Sequence, residues 1–266
     1  MHKSDNGKFN SGAACVNNTS HKTRLRTEKL GAVLLALLLW QLAAAIIDSN
    51  ILIATPIDVL RRLCTIWREP GFAATVTFTL SRITLGYVCA VLAAIAFGFA
   101  AARFHVVEVL LSPYVMCFRA VPVASMIVML LIWVKAANLS VIISFLVVFP
   151  VVYTNVLAGL KALDVKLLEM AYVFRLRGVR RLRFITLPQL KSYLLSSCSV
   201  TAGMAWKAGV AAEVIGTPAT SVGKMIYQSK IWLNTEDLFA WTLVLVLLSI
   251  VFEKVCVGLL RKLLGA

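Results

Sequence analysis

The residues that could perform chemistry in this chain are few and scattered. The three histidines, His2, His21 and His105, stand alone, and none of the six cysteines forms a Cys-x-x-Cys pair. No pair of carboxylates and no nucleophile with a neighbouring histidine is spaced for catalysis. The Gly-Lys within Ser221–Met225 is not a phosphate loop, because the upstream Gly216 is at the wrong distance and no Ser or Thr follows. The sequence therefore predicts neither an enzyme nor a metal site.

The densest positive cluster is LLEMAYVFRLRGVRRLRFITLPQL, residues 167–190, which holds five arginines and lies between two long apolar stretches. Asp164 can cap the start of a helix, because its carboxylate accepts from free backbone N–H groups. Four apolar residues then recur at helical spacing and predict a short amphipathic helix over Asp164–Phe174: Leu167, Leu168, Ala171 and Phe174. Pro188 marks a predicted break before the next apolar stretch.

Two roles are open for this basic loop. A short amphipathic helix on the cytoplasmic side of a membrane can place apolar side chains in the groove of a soluble partner, while its charges fix the orientation. The alternative is an ordinary basic loop that binds anionic lipid headgroups. The residues alone do not decide between the two.

Composition shows which elements position the loop. Hydrophobic residues make up 60% of the 266 residues and charged residues only 15%, against about 25% in a soluble domain. A helix of about 20 apolar residues crosses the ~30 Å hydrocarbon core, and the runs lack the alternation of barrel strands. We therefore predict an all-α polytopic membrane protein with about six transmembrane helices, over the runs Leu30–Ile47, Ile83–Ala102, Val109–Val134, Ala136–Leu160, Ser192–Ala212 and Leu238–Leu260.

The net charge of +15 is unevenly distributed, and its distribution indicates the orientation of the chain in the membrane. With six spans, 18 of the 27 Lys and Arg residues fall on the side that carries both termini and the basic loop, and 6 fall on the opposite side. An excess of Lys and Arg marks cytoplasmic segments. The distribution therefore predicts cytoplasmic N- and C-termini and disfavours binding to nucleic acid.

Five residues in or near the spans are candidates for a translocation pathway. Arg119 and Pro122 predict a kinked third span, in which the arginine holds the broken helix through carbonyl or cross-helix bonds or contacts the solute. Lys207 either faces the pathway and attracts an anion, or it snorkels or pairs with a neighbouring helix. Trp206 is interpreted as a packing or interface residue. Glu213 is predicted at the outer rim, on a different helix face from Lys207.

The stretch EMAYVFRLRGVRRLRFITLP, residues 169–188, resembles the cytoplasmic "EAA" loop in membrane subunits of binding-protein-dependent ABC importers. Five residues fit the pattern of that loop: Glu169, Ala171, Ile185, Leu187 and Pro188. LSRITLGYVCAVLAAIAFGF and FRAVPVASMIVMLLIW resemble further segments of the family. NVLAGLKALDVKLLEMA and AWKAGVAAEVIG resemble its nitrate, sulfonate and taurine branch. The similarity extends from about residue 72 to 262.

One position departs from the family pattern. Arg175 stands where these permeases usually have a glycine that lets the chain turn after the docking helix, and Gly178 follows three residues later. We therefore predict that the turn has moved along the loop.

The resemblance implies an ATP-driven importer in the bacterial inner membrane. Residues 72–262 would form the permease core with a coupling loop at 161–190, after a disordered basic tail at 1–29 and a first transmembrane helix with an external segment at 30–71. Two permease copies would form the pathway within the lipid bilayer. ABC ATPases would bind ATP and magnesium and dock on the Asp164–Phe174 helices, so this chain would hold no cofactor. An external binding protein would deliver a small organic anion such as a sulfonate, taurine or nitrate.

Two other classes remain as alternatives. A secondary transporter or channel often shows inverted repeats and buried acidic residues, whereas no Asp or Glu lies near the centre of a predicted span here. A membrane enzyme or scaffold would need the catalytic groups that the sequence does not supply.

Overall fold

The computed structural model describes residues 28, 31–32, 34–46, 53–176 and 178–263. All regular structure in this part of the chain is helical. The predicted basic tail at 1–29 lies outside the described residues except for Glu28. The described residues divide into two units, with the boundary between Arg61 and Arg62. The helices are α1 (Leu34–Ile46), α2 (Pro56–Ile66), α3 (Phe72–Arg103), α4 (His105–Ala120), α5 (Val123–Leu130), α6 (Ala136–Lys161), α7 (Val165–Val173), α8 (Val179–Arg181), α9 (Leu187–Gly216), α10 (Val222–Ile231) and α11 (Thr235–Leu263).

Three of the described helices, α3, α6 and α11, are long and apolar enough to cross a membrane. The bent pair α4–α5 adds a fourth span if its two helices are counted together as one. The all-α, polytopic prediction is confirmed, with fewer clear spans than the six expected. Helix α9 has 30 residues, about 45 Å at 1.5 Å per residue, but several hydroxyl and charged residues make it more polar. Helix α1 is short in the described residues, and the predicted ends of that span lie outside them.

Helices α3, α6 and α9 pack side by side and form the core. Gly209 on α9 lies in close contact with α3 and α6, because a Cβ there would be 2.7 Å from both Ile83 Cγ1 and Ser144 Oγ. Small residues at helix crossings let backbones approach closely in membrane proteins. Across the same interface the Ser144 hydroxyl donates to the Ala205 carbonyl at 3.2 Å, and the Tyr87 hydroxyl donates to the Cys198 carbonyl at 2.9 Å.

The two predicted helix breaks have different outcomes. Helices α4 and α5 meet at an angle of 103°, and Pro122 stands at the N-terminus of α5 in extended backbone, so the predicted break in the third span is confirmed. Pro188 does not break its helix. A π-helical turn at Leu182–Thr186 joins α8 to α9, and Pro188 lies in the first turn of α9. The wider π-helical turn lets the helix continue past Pro188, which has no backbone N–H.

Candidate functional site

Hydrogen bonds fix the N-terminus of helix α7, which lies in the loop between α6 and α9. The backbone N–H of Lys166 donates to Oδ1 of Asp164 at 2.8 Å, which is a side-chain N-cap. The backbone N–H of Asp164 in turn donates to Oε1 of Gln189 at 3.0 Å. The predicted helix and its cap are therefore confirmed. Because Gln189 belongs to α9, the start of α7 is tied directly to one of the core helices.

The two faces of α7 differ in exposure. Ala171 is 1% exposed and Leu168 is half-buried, so this face packs against the protein. Three apolar side chains of α7 are exposed instead, Val165, Tyr172 and Val173, at 65%, 84% and 75%. Lys166 and Glu169 are exposed as well. The exposed surface of α7, its outer face, is therefore apolar with one basic and one acidic group.

Phe174 and Leu167 depart from the predicted apolar face. Phe174 is 69% exposed, because it follows the last residue of α7 and caps the C-terminus, where the chain turns away. Leu167 lies between the two faces, at 36% exposed. The predicted apolar stripe is therefore divided, because Leu168 and Ala171 pack against the protein whereas Phe174 stays exposed. Three further apolar residues, Val165, Tyr172 and Val173, are exposed on α7.

The turn after α7 has not moved, contrary to the prediction. Arg175 itself adopts the left-handed conformation, with a φ of 52°. The backbone N–H of Leu176 donates to the Ala171 carbonyl at 2.8 Å, and that of Arg175 to the Tyr172 carbonyl at 3.0 Å. These two bonds form a Schellman C-cap, whose left-handed position is usually glycine. Gly178 is also left-handed, with a φ of 55°, so the loop contains a second turn.

A cavity of about 860 Å³ lies beside this turn, between α7 and α8. Ala171 and Tyr172 line it on one side, and Arg175 and Arg181 supply positive charge on the other. The loop between α6 and α9 therefore offers a concave, basic surface next to the exposed face of α7. Pro188, on α9, is also exposed.

A second cavity, of about 500 Å³, lies between α4 and α6. Arg119 is on its wall, near the end of α4. The predicted role of Arg119 in holding the broken helix is wrong, because its guanidinium has no hydrogen-bond or ion-pair partner within the described residues and is exposed. Pro122 is exposed beyond the bend and does not line this cavity.

The other three pathway candidates lie apart from that cavity. Trp206 is 3% exposed, and its Nε1 donates to the Leu245 carbonyl at 3.1 Å, so it packs α9 against α11. Lys207 is exposed on α9 and has no partner among residues that the structure describes. Glu213 is 0% exposed, which corrects its predicted place at the rim. No pair forms between Lys207 and Glu213, as expected.

Glu213 is buried because the chain folds back over it after α9. Its Oε2 accepts from the Thr79 hydroxyl of α3 at 2.8 Å and from the Gly223 backbone N–H of α10 at 3.4 Å. Its Oε1 and the hydroxyl of Ser140 have no partner in the described residues. Three helices, α3, α9 and α10, therefore meet at one carboxyl group.

Sequence reasoning missed several of these residues. The spacing of Glu108, Ser112, Val115 and Arg119 places them on one stripe of α4, which a helical projection could have found. Tyr153, Thr79 and Gln189 carried no signal, because each is one polar residue in an apolar or basic stretch. Among the described residues no group of His, Cys, Asp and Glu side chains could hold a metal ion.

Comparison with known proteins gives one consistent result. The chain is 25% identical to the taurine transport system permease protein TauC of Escherichia coli (strain K12), over 93% of this chain and 96% of that protein. It is 24% identical to the putative aliphatic sulfonates transport permease protein SsuC of Bacillus subtilis (strain 168), over 88% of this chain and 85% of that protein. The profile of the family described as "binding-protein-dependent transport system inner membrane component" matches residues 70–264. The chain therefore belongs to this family of inner membrane transport components.

Proposed function

We propose that two copies of this chain form the membrane pathway of an ABC importer, in which a separate ATPase docks on α7 and drives opening and closing. An external binding protein delivers the solute, and both termini of the chain lie in the cytoplasm. ATP and magnesium bind to the ATPase. The chain itself supplies the pathway and receives the mechanical work.

The observation that carries the proposal is the construction of α7. A helix of 9 residues is too short to be stable alone. Here it is capped at both ends, it packs through Leu168 and Ala171, and it is tied to α9 through Gln189. Its other face exposes apolar residues to the surroundings. A helix held this firmly can transmit a push from a soluble partner to the core helices.

The solute is proposed to be a small organic anion. The names of the two similar permeases refer to taurine and to aliphatic sulfonates, and nitrate remains within the branch that the sequence resembles. The positive charges of Arg119 and Lys207 are compatible with an anion. A sulfonate is therefore the first solute to test.

The docking helix can be tested by placing a charge on its apolar outer face. Val173→Glu on the exposed face of α7 should reduce co-purification of the ATPase at least tenfold, because an apolar contact is replaced by a buried charge in the complex. The matched control is Val106→Glu on α4, whose side chain is 77% exposed against 75% for Val173. The control should co-purify as the parent protein does.

Two results would contradict the proposal. The first is an ATPase that stays bound to the Val173→Glu protein as tightly as to the control. The second is uptake that persists after ATP is depleted while the ion gradient is kept, which would indicate a secondary transporter.

A further inference from the structure

One stripe of α4 faces α6 across the 500 Å³ cavity. Successive turns of this stripe carry Glu108, Ser112, Val115 and Arg119, and all four line the cavity. The opposite wall comes from Tyr153 and its neighbours on α6. A largely apolar cavity with a few polar and charged groups, between two membrane-embedded helices, is a place where a solute could be held during transport.

The charges around this cavity do not cancel. Glu108 lines the cavity, but Lys161 Nζ lies 2.6 Å from its Oε1, and His105 Nδ1 lies 3.8 Å from its Oε2. The negative charge of Glu108 is thus matched by a lysine outside the lining. Arg119 has no such partner in the described part of the chain. The lining is left with one uncompensated positive charge, which favours an anionic occupant.

A buried hydroxyl at the cavity also lacks a partner. Tyr153 is 3% exposed, and its Oη forms no hydrogen bond to any described residue. Its ring stacks on Phe149, with ring centroids 5.9 Å apart, which supports its position in the α6 wall. A buried hydroxyl without a partner is costly unless something bonds to it. An oxyanion in the cavity would accept from this hydroxyl.

We propose that the cavity between α4 and α6 binds the sulfonate group of the transported solute, with Arg119 supplying the charge and Tyr153 a hydroxyl donor. This assignment rests on the proposed function, because it takes the cavity to be part of the import pathway. A guanidinium presents five N–H donors in one plane, and a sulfonate presents three oxygens. Ser112 lies on the same wall as Arg119 and is exposed.

The test uses a thiol reagent that itself carries a sulfonate. Ser112→Cys is introduced into the full chain without its native cysteines, purified with its ATPase. Rates of modification are measured with the 2-sulfonatoethyl and the 2-(trimethylammonio)ethyl methanethiosulfonate reagents. Arg119→Gln should lower the ratio of anionic to cationic rates roughly tenfold, the effect of one unit charge near contact in partly solvated surroundings. Arg119→Lys should keep most of the ratio.

Controls separate the site from general charge effects. Lys254→Gln removes an exposed cation of α11 that does not line the cavity and should leave the ratio unchanged. Ethanesulfonate should protect the thiol of the Ser112→Cys protein from the anionic reagent. Tyr153→Phe should weaken that protection severalfold, whereas Tyr114→Phe, on α4 but outside the lining, should not.

The results distinguish this proposal from the importer proposal. An unchanged reagent ratio in Arg119→Gln, or a Ser112→Cys thiol that neither reagent reaches, would overturn the sulfonate site even if the ATPase co-purifies normally. Failure of any ATPase to co-purify with the parent protein would instead count against the importer, and the reagent ratio would then be measured on the purified permease alone.

Discussion

The hydroxyl of Thr79 joins two distant parts of the chain. It donates a 2.8 Å hydrogen bond to Oε2 of Glu213 on α9 and accepts a 3.0 Å bond from the backbone N–H of Val222 at the start of α10. Thr79 and Glu213 are both 0% exposed. One hydroxyl of α3 therefore holds the connection between α9 and α10 in place, and the position of α10 depends on it.

Thr79→Val should destabilise the protein by about 1–3 kcal/mol, because it leaves Oε2 of Glu213 and the Val222 N–H short of a buried partner. Thermal unfolding of the purified permease in detergent measures the change. Thr77→Val is the matched control, since Thr77 is exposed and its hydroxyl bonds only to its own helix, to Ala73 O at 2.7 Å. Equal losses in the two variants would contradict the role of Thr79.

Glu213→Gln should cost less stability than Glu213→Ala. Glutamine keeps a side-chain oxygen that can accept from Thr79 and Gly223, and its NH₂ group can donate to the unpaired Ser140 hydroxyl. Alanine leaves a cavity and several unpaired groups. Truncation of a large buried side chain typically lowers the free energy of unfolding by about 2–5 kcal/mol. The unfolding midpoints of both variants in one detergent test the order. A Gln variant as unstable as the Ala variant would show that the negative charge itself is required.

Gly223→Ala should disturb the same region by steric conflict. A Cβ at Gly223 would overlap Cβ of Glu213 and lie 2.7 Å from the Glu213 carbonyl carbon and the Val214 nitrogen. Backbone atoms cannot rotate away, so α10 must shift, and we expect a loss of about 1–3 kcal/mol. Gly203→Ala on α9 is the control: nothing lies within 4 Å of its Cβ, and alanine favours a helix by up to about 1 kcal/mol. Gly223→Ala should therefore lower the unfolding temperature, whereas Gly203→Ala should raise it.

Arg175→Gly should stabilise the end of α7. Arg175 has a φ of 52°, which costs a residue with a Cβ about 1–2 kcal/mol relative to the right-handed region, and glycine removes that cost. Amide hydrogen exchange of the last turn of α7 should slow severalfold. Arg181→Gly is the control, because its φ is −61° and glycine there weakens a helix. Faster exchange in the Arg175→Gly protein would show that the arginine side chain, rather than the backbone, maintains the turn.

The parts of this fold that the sequence predicts depend on local signals. The N-cap at Asp164, the helix after it and the bend at Pro122 each follow from a few adjacent residues, and each was found. The class of the fold follows from apolar runs and the length that a bilayer imposes. The family resemblance rests on residues that lie close together in the chain, and the match over 70–264 confirms it.

The parts that could not be predicted depend on contacts between distant segments. Glu213 follows an apolar run and therefore looks like a rim residue, but α10 folds back and buries it. Tyr153 looks like one more aromatic residue of a span until α4 lies beside it. Burial of this kind is set by packing, which no local pattern contains. Arg175 is a local exception: it was expected to displace a turn because glycine is favoured there, yet two hydrogen bonds within the same turn hold the arginine in the left-handed region.

The start of α11 offers a further electrostatic test. The Arg62 guanidinium donates from Nε to Asp237 in the first turn of α11 and from Nη2 to Glu69. Partial burial acts to lower the pKa of Arg62, but its hydrogen bonds to Asp237 and Glu69 outweigh burial and raise the pKa above its ordinary value. Arg62 therefore stays charged at neutral pH.

Arg62→Gln should destabilise the protein by about 1–2 kcal/mol, since side chains 25% and 20% exposed at Arg62 and Asp237 are only partly screened by solvent. The loss should be smaller at 1 M salt than at 0.1 M, where the Debye length is about 10 Å rather than about 3 Å. Thermal unfolding and limited proteolysis between α2 and α3 both report the change. The matched control is Arg68→Gln, whose side chain is exposed. If the two arginine variants unfold alike at both salt concentrations, the pairing with Asp237 contributes nothing to the position of α11.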